Sequence, residues 1–449
     1  MQAEPNGARL GNDVGARDGA GEPARKRVNP LKVRPVELTI PFYSWTLRRW
    51  KKKLVESAQT RLENRTRDTQ LDKLSTQLTK LNIILKLHEL MTRRKQGHFV
   101  SVQIMSRWRR VLGLNVGIGD FLRKHRHVFD VFPHPLRHNI CCRFSGKMMG
   151  LYKEEENAVK KWELEAVKRI KKMLMMSVNG SLHIHALRLV RRELGLPRDF
   201  RDCILAKYSN EFKLVDLEFV ELVDRDHIDE ELGSAEIEKW REREYKKKWL
   251  SEYDTMYAFP INFPTGFKIE GGFREKLRNW QRLPYMKPYE RKEVVRVRSC
   301  GGEARYEKRA VGILHEFLTL TVEKMVEVER LAHFRSDFAM VVNVRELLLN
   351  HPGVFYISTK GDTQRVFLRE AYSRGSLVES NLIYVVRRKM LDIILMGCRH
   401  TRKLQAFDTN TVDKDNVVCK ETEDAKGDGD WVIPMLESLS DRNTNDSLD

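Results

Sequence analysis

Three related segments occur along the chain, and this internal repeat constrains the fold more strongly than any other feature of the sequence. They read RRVLGLNVGIGDFLRKHRHVFDVF from Arg109, RRELGLPRDFRDCILAKYSNEFKLV from Arg191 and RSDFAMVVNVRELLLNHPGVFYIS from Arg335. In each copy the arginine lies five residues before an apolar residue, and an apolar pair precedes a phenylalanine at a fixed spacing. The repeat predicts one supersecondary unit that the chain uses three times.

The pattern inside each copy predicts the order helix, turn, helix, strand, turn, strand. Gly113 and Gly195 suit the left-handed backbone that ends a helix, and the residues after the phenylalanine alternate as in a β-hairpin. A helix-turn-helix followed by a hairpin is the layout of a winged helix. We therefore predict a helix-rich α+β fold of tandem winged-helix-like modules joined by basic helices. Three helix–hairpin pieces of one larger α+β domain are the alternative.

The phenylalanine of each copy and the aliphatic residue two positions later are predicted to join helix to sheet in the core. These pairs are Phe129 and Val131, Phe212 and Leu214, and Phe355 and Ile357. In copy three, Gly361 and Asp362 are predicted to form the hairpin turn, with Lys360, Arg365 and Arg369 on its exposed fringe. A stacking platform for bases is the less favoured interpretation of the phenylalanines.

Composition and the repeat together divide the chain into consecutive segments. They are a disordered leader (1–35), a basic segment with an amphipathic helix (36–95), repeat unit 1 (96–150), a basic connecting helix (151–180), repeat unit 2 (181–235), a charged helix with a connector rich in Pro, Gly and aromatic residues (236–310), repeat unit 3 (311–400) and an acidic disordered tail (405–449). A leucine seam of about two heptads (Leu71, Leu74, Leu78, Leu81, Leu85) favours packing within its own domain over a coiled-coil dimer.

The excess of basic residues indicates a polyanionic partner. The chain has a net charge of +19, and its last 45 residues contain 12 acidic and 4 basic residues, so the preceding 404 carry +27. A surplus of this size favours nucleic acid first and an anionic membrane surface second. A basic protein without such a partner is the alternative. No apolar run approaches the ~18 residues of a membrane span.

Compartment follows less directly from the sequence. The six cysteines form no CxxC pair, which is typical of a reducing intracellular compartment. The leader contains Glu4, Asp13, Asp18 and Glu22, whereas organelle transit peptides are usually poor in acidic residues. These features by themselves leave cytosol, nucleus and organelle open.

No catalytic residue, cofactor or metal is predicted. The chain lacks the GxSxG, Walker lysine and dinucleotide glycine patterns. His134 and His138 have the spacing of half a zinc site, but the adjacent Cys141 and Cys142 do not supply the other half. The acidic run DRDHIDEE (Asp224 to Glu231) is typical of a solvated linker, with a two-metal nuclease as the rival interpretation.

Several longer motifs carry a family resemblance across about residues 60–400. They are RTRDTQLDKL from Arg65, MSRWRRVLGL from Met105, FPTGFKIEGGFREKLRNWQRLPYMKPYE from Phe263, EKRAVGILHEFLTLTVEK from Glu307 and HPGVFYISTKGDTQRVFLREAY from His351. They resemble the plant organelle RNA recognition, or PORR, family. The resemblance implies RNA binding and participation in group II intron splicing in a plant mitochondrion, or alternatively a chloroplast, with other splicing factors as further candidate partners.

RNA binding requires cations that neutralise phosphates, and the repeated arginines are the natural candidates. The predicted RNA-binding residues are Arg109, Arg110, Arg123, Lys124, Arg126, Arg191, Arg192, Arg335, Lys360 and Arg365. A solvated helix face without a ligand is the alternative for these residues. We predict a non-catalytic protein that binds intron RNA and promotes its splicing, and a DNA-binding regulator of the winged-helix type is the alternative.

Overall fold

The computed structural model describes residues 58–94, 99–134, 138–224, 233–248, 255–269, 271–290, 302–340 and 342–409. The helices are α1 (Ala58–Asn64), α2 (Thr69–Thr92), α3 (Val102–Arg107), α4 (Arg109–Leu112), α5 (Ile118–Lys124), α6 (Gly146–Lys161), α7 (Glu163–Met176), α8 (Ile184–Leu189), α9 (Glu236–Lys248), α10 (Phe273–Arg282), α11 (Gly302–Leu320), α12 (Val328–Ala332), α13 (Val344–Asn350) and α14 (Leu382–Thr409). Short π-helical and 3₁₀ turns cover Arg201–Leu205 and Arg369–Ala371.

The strands are short and antiparallel. They are β1 (Val100–Ser101), β2 (Phe129–Pro133), β3 (Ile140–Phe144), β4 (Ser181–His183), β5 (Phe212–Val215), β6 (Phe219–Leu222), β7 (Met325–Glu327), β8 (Phe355–Ser358), β9 (Arg365–Leu368), β10 (Tyr372–Ser373) and β11 (Ser376–Leu377). Three of the sheets have three strands each, in the orders β1-β3-β2, β4-β6-β5 and β7-β9-β8. The predicted helix-rich α+β fold is therefore confirmed.

All three repeat units share one connectivity. A helix (α2, α7 or α11) leads into a short first strand, and then come the helix-turn-helix and the hairpin, whose second strand pairs with the first strand. The sequence pattern missed the first strand of each unit. That strand has two or three residues, too few to show the alternation that identifies a strand.

The turn of each unit explains the fixed arginine spacing. The chain turns through a residue with left-handed backbone: Gly113 (φ 68°), Gly195 (φ 70°) and Ala339 (φ 50°). The N–H of the following residue then donates to the carbonyl of the arginine five positions earlier, as in Leu114 to Arg109 (3.0 Å), Leu196 to Arg191 (2.8 Å) and Met340 to Arg335 (2.8 Å). In unit 1 this bond satisfies a carbonyl of α4, whereas Arg191 and Arg335 follow the ends of α8 and α12. This part of the repeat therefore records a common turn.

The sheet of unit 3 lies between two hydrophobic cores. One core contains residues of units 2 and 3 with the connector, and the other contains α2, unit 1 and α14. Along β8, Phe355 and Ile357 belong to the first core and Tyr356 belongs to the second. All four residues of β8 and all four of β9 are buried, because both faces of this hairpin are covered.

The hairpin of unit 1 is much less covered. Phe129 is buried, as are Phe212 and Phe355, which confirms the predicted core role of the repeated phenylalanine. Val131 is 50% exposed, so its predicted core role is wrong. Val131 and Phe129 are on the same face of β2. Phe129 is the only buried residue of this strand, so the hairpin extends beyond the core after Phe129.

The long helices hold the units together. The leucine seam of α2 is buried in the same core as α14, so this helix packs within its own chain, as predicted. Helix α14 runs to Thr409, so the first residues of the predicted acidic tail are helical, and the rest of that tail and the leader lie outside the described residues. None of the helices that the structure describes has the length and apolar character needed to cross a bilayer.

Candidate nucleic-acid interface

Unit 1 presents a dense set of exposed cations. Its described residues between 99 and 147 include eight lysines and arginines, all exposed, and two acidic residues. Asp120 pairs with Arg123 (2.7 Å) and Asp130 pairs with Arg143 (3.3 Å). The cations are Arg107, Arg109, Arg110, Arg123, Lys124, Arg126, Arg143 and Lys147. This surface therefore carries a local excess of six positive charges.

Helix α5 fixes part of this surface. It buries Ile118, Phe121 and Leu122 and leaves Arg123 and Lys124 exposed at its last turn. Helix α14 packs closely against the end of α5, since a Cβ placed on Gly397 would lie 2.7 Å from the Lys124 carbonyl oxygen. The cations at the end of α5 therefore project from backbone that the core holds in place.

Arg109 also has a structural role. Its Nε donates to the Leu114 carbonyl at 3.2 Å and its Nη2 donates to the Asn115 carbonyl at 2.9 Å. Arg335 repeats the first of these bonds at the equivalent position of unit 3, where its Nε donates to the Met340 carbonyl at 2.8 Å. Both arginines are exposed, so each closes its helical turn and still faces solvent.

Arg191 and Arg192 lie in a different environment. They bind the two carboxylate oxygens of Glu89 at 2.7 and 2.8 Å, and all three side chains are largely withdrawn from solvent. Burial lowers the pKa of the Arg192 guanidinium, and the Glu89 carboxylate opposes that shift. This pair therefore joins unit 2 to helix α2, and the structure does not place it with the exposed cations of unit 1.

The predicted exposed fringe of unit 3 is only partly exposed. Lys360 is exposed, but Arg365 is 2% exposed and donates to the Ser75 carbonyl (3.0 Å) and to Thr79 Oγ1 (2.7 Å) of α2. Arg369 is also buried and donates to the Asn262 carbonyl at 2.6 Å. The expected exposure of these two arginines is wrong, because α2 and the connector cover this hairpin.

The second helices of units 2 and 3 are less available than α5. Helix α13 is covered by α1, whose Arg61 contacts Glu346 at 3.4 Å and also binds Asn350. In unit 2 the corresponding segment is the π-helical turn Arg201–Leu205, and the nearby Lys207 pairs with Glu163 at 2.6 Å. Among the described residues, unit 1 combines the most exposed second helix with the highest density of cations.

The sequence reasoning missed Arg107, Arg143 and Lys147. They lie outside the repeated positions, so the comparison of the three copies could not select them. The scarcity of acidic residues between 99 and 147 was the signal that could have identified them. In the acidic run that the nuclease interpretation would use, Asp226 and Asp229 lie outside the described residues.

The model of the plant organelle RNA recognition domain matches residues 66–399. The chain belongs to the PORR family. The match includes all three repeat units and most of the chain. The PORR domain is a non-catalytic RNA-binding domain of plant organelles, so the RNA-binding and non-enzymatic parts of the prediction are confirmed.

Several curated proteins resemble this PORR chain. Protein ROOT PRIMORDIUM DEFECTIVE 1 of Arabidopsis thaliana is 37% identical over 351 residues, which are 76% of this chain and 85% of the relative. WHAT'S THIS FACTOR 1 homolog, chloroplastic, of Oryza sativa subsp. japonica is 30% identical over 86% of this chain and 76% of its own length. WHAT'S THIS FACTOR 9, mitochondrial, of Arabidopsis thaliana is 26% identical over 70% of this chain and 81% of its own length. No solved structure matches the chain.

Proposed function

We propose that this PORR protein binds group II intron RNA in a plant mitochondrion, or alternatively in a chloroplast, and promotes its splicing without catalysing it. The observation that carries the proposal is the concentration of exposed cations on unit 1, with two paired acidic residues beside them. Relatives whose names specify a chloroplast or a mitochondrion support an organellar site of action.

The proposed mechanism is electrostatic. Cations held on a rigid scaffold bind phosphates and release the counterions that surround RNA, so affinity falls as salt rises. Arg110, Lys124 and Arg126 are exposed around the turn and helix α5 of unit 1. By holding several phosphates at fixed separations, this surface favours the intron conformation that fits it, which is the splicing-competent one in our proposal.

Charge reversal on unit 1 tests the site. The triple variant Arg110→Glu, Lys124→Glu and Arg126→Glu is expected to bind intron RNA at least about tenfold more weakly than the wild type. Its plot of log K against log salt is expected to be shallower, because each lost phosphate contact removes about 0.7 from the slope for single-stranded RNA. The measurement is a filter-binding titration at several salt concentrations.

A matched control separates local contacts from net charge. Lys213, Lys247 and Lys276 are exposed on other elements, and their reversal to glutamate changes the net charge by the same amount. This control is expected to bind RNA within about twofold of the wild type. Equal losses in the two triple variants, or no loss in the unit 1 variant, would contradict the assignment. Arg191 and Arg192 are left out of the variants because glutamate at these positions would repel Glu89, and a loss of binding could then result from a loss of folding.

Immunoprecipitation from isolated mitochondria and chloroplasts, followed by sequencing of the bound RNA, tests target and compartment together. We expect group II introns from one organelle to be enriched. We also expect plants that carry the unit 1 triple variant to lose splicing of these introns. Enrichment of other transcripts would contradict the intron assignment. Tighter binding to duplex DNA than to RNA at fixed salt would favour the DNA-binding alternative.

A further inference from the structure

A small cavity opens at the edge of the unit 1 sheet. It encloses about 130 Å³ and is lined by Arg94, Phe99, Val100, Ser101, Ile104, His134, Asn139 and Cys141. Pockets for drug-sized ligands or cofactors usually have volumes of roughly 300–1,000 Å³, so this cavity is too small for them. An apolar cavity of about 150 Å³ holds a benzene molecule, so the volume suits one planar ring.

Aromatic side chains form the rim of this cavity. Phe99 is 38% exposed, and its ring centroid lies 5.5 Å from that of His134 and 5.9 Å from that of Phe132. The Arg143 guanidinium lies 5.4 Å from the centre of the Phe132 ring. The partly exposed Phe99 ring therefore borders the cavity, and Phe132 and Arg143 lie next to it. Single-stranded nucleic acids are commonly bound by this combination, because bases stack on rings while cations follow the backbone.

Ser101 lines the cavity, but its hydroxyl does not open into it. Ser101 occupies the N-cap position of α3, where a serine usually accepts a backbone hydrogen bond, but its side chain makes no such bond. The Ser101 hydroxyl is buried and has no hydrogen-bonding partner within the described part of the chain. An oxygen that water cannot reach is also out of reach of a base in the cavity, so the Ser101 hydroxyl takes no part in the proposed binding.

Residues from both sides of the unit 1 hairpin line the cavity, and a hydrogen bond joins them. The His134 N–H donates to the Asn139 carbonyl at 2.8 Å, which ties the two strands together beside the cavity. Asn139 is exposed, and Arg94 at the end of α2 is partly exposed. An amide side chain offers both a donor and two acceptor lone pairs, which suits the mixed edge of a base.

We propose that this cavity binds one unstacked pyrimidine base of single-stranded RNA. Phe99 stacks on the base, the Asn139 amide bonds to its edge, and Arg94 binds the adjoining phosphate. A base in a duplex cannot enter, because its faces are stacked and its edge is paired. A purine has a second fused ring that extends beyond a volume of about 130 Å³, so we expect it to bind more weakly. The inference rests on the proposed function and adds its substrate class, single-stranded pyrimidine-containing RNA.

The test compares Phe99→Ala with Phe219→Ala. Phe219 lies on β6 of unit 2, is also 38% exposed, and contacts His183 with a centroid distance of 5.0 Å. Binding of a single-stranded oligouridine and an oligoadenosine of equal length is measured at several salt concentrations. Phe99→Ala is expected to weaken oligouridine binding by about 5- to 100-fold, since stacking on one aromatic side chain contributes that much. The salt slope should be unchanged, because no phosphate contact of Phe99 is lost.

A further variant protects the test against a loss of folding. Phe99→Trp keeps a stacking surface and is expected to restore binding to within about threefold of the wild type.

The outcomes distinguish this inference from the proposed function. If the wild type binds neither oligonucleotide, both proposals are overturned. If the wild type binds RNA and Phe99→Ala binds it equally well, the base cavity is overturned and the basic RNA surface stands. Equal affinity of the wild type for oligoadenosine and oligouridine overturns the pyrimidine preference, and an equal loss in Phe219→Ala overturns the assignment to this cavity.

Discussion

At the scale of single residues, equivalent positions of the repeat have different surroundings. Arg109 and Arg191 both accept the hydrogen bond that closes a helical turn. The side chain of Arg109 is exposed, whereas that of Arg191 binds Glu89 of helix α2. The recurrence of an arginine therefore identifies a recurring turn, and the neighbouring elements decide whether its charge faces solvent.

His125 gives a pH prediction at this scale. Burial, with smaller contributions from Lys80 and Lys124, lowers the pKa of His125 to about 4 from its ordinary 6.5, although a backbone hydrogen bond at Ile394 opposes the shift. The unfolded state therefore binds a proton between pH 6.5 and 4 that the folded state excludes. The free energy of unfolding should be highest above pH 6.5 and fall by about 2–3 kcal/mol toward pH 4 through this residue.

Urea unfolding of the wild type and of His125→Gln, at pH 7.5 and pH 4.5, measures this contribution. The variant should lose less stability than the wild type between the two pH values. The pKa of His88 is also lowered to about 4, first by burial, so His125→Gln should leave part of the pH dependence. The exposed neighbour His127 provides the control, and His127→Gln should keep the wild-type difference. Equal pH dependence of wild type and His125→Gln would contradict the assignment.

At the scale of elements, one supersecondary unit appears three times with different faces covered. The hairpin of unit 3 is buried on both faces between two cores. The hairpin of unit 1 extends into solvent after Phe129 and leaves Val131 half exposed. The difference explains why unit 1 has an accessible basic surface, whereas the equivalent surface of unit 3 packs on α1 and α2.

Two equivalent turn glycines give a prediction at this scale. Gly113 and Gly195 have nearly the same left-handed backbone, with φ of 68° and 70°. Alanine at either position should cost roughly 1–2 kcal/mol for that conformation. A Cβ at Gly195 would lie 2.9 Å from Val322 Cγ2, whereas at Gly113 the nearest atom is Asp362 Oδ2 at 3.6 Å. Gly195→Ala should therefore be destabilised by about 1–3 kcal/mol more than Gly113→Ala, as measured by urea unfolding. The opposite order would contradict the tighter packing around Gly195.

At the scale of the whole molecule, a buried arginine links units 2 and 3 to helix α6. Arg387 of α14 binds Glu155 of α6 at 2.7 Å, Glu323 before β7 at 3.3 Å and the Arg192 carbonyl at 3.0 Å. Burial opposes the charge of Arg387, but Glu155 and Glu323 raise its pKa above its usual range. The charged guanidinium therefore joins segments that are far apart in the sequence.

Removal of this link should destabilise the molecule. Arg387→Met leaves Glu155 and Glu323 without their shared cation, and breaking a buried ion pair usually costs about 3–5 kcal/mol. Lys389→Met is the matched control two residues away, since Lys389 pairs with Glu154 at 2.8 Å on the surface, where such pairs contribute about 0–1 kcal/mol. Urea unfolding measures both variants. A similar small effect in the two would contradict the linking role of Arg387.

The sequence by itself determined the repeated unit, the left-handed turns at Gly113 and Gly195, the buried phenylalanines and the helix-rich α+β class. These features depend on contacts within one unit, which spacing along the chain records. The tertiary structure alone decided which cations reach solvent and where the cavity of unit 1 lies. Arg365 is buried because it meets Thr79 of α2, 286 positions away, and Phe99 borders a cavity because a strand meets a distant hairpin end. Local spacing carries no record of such contacts.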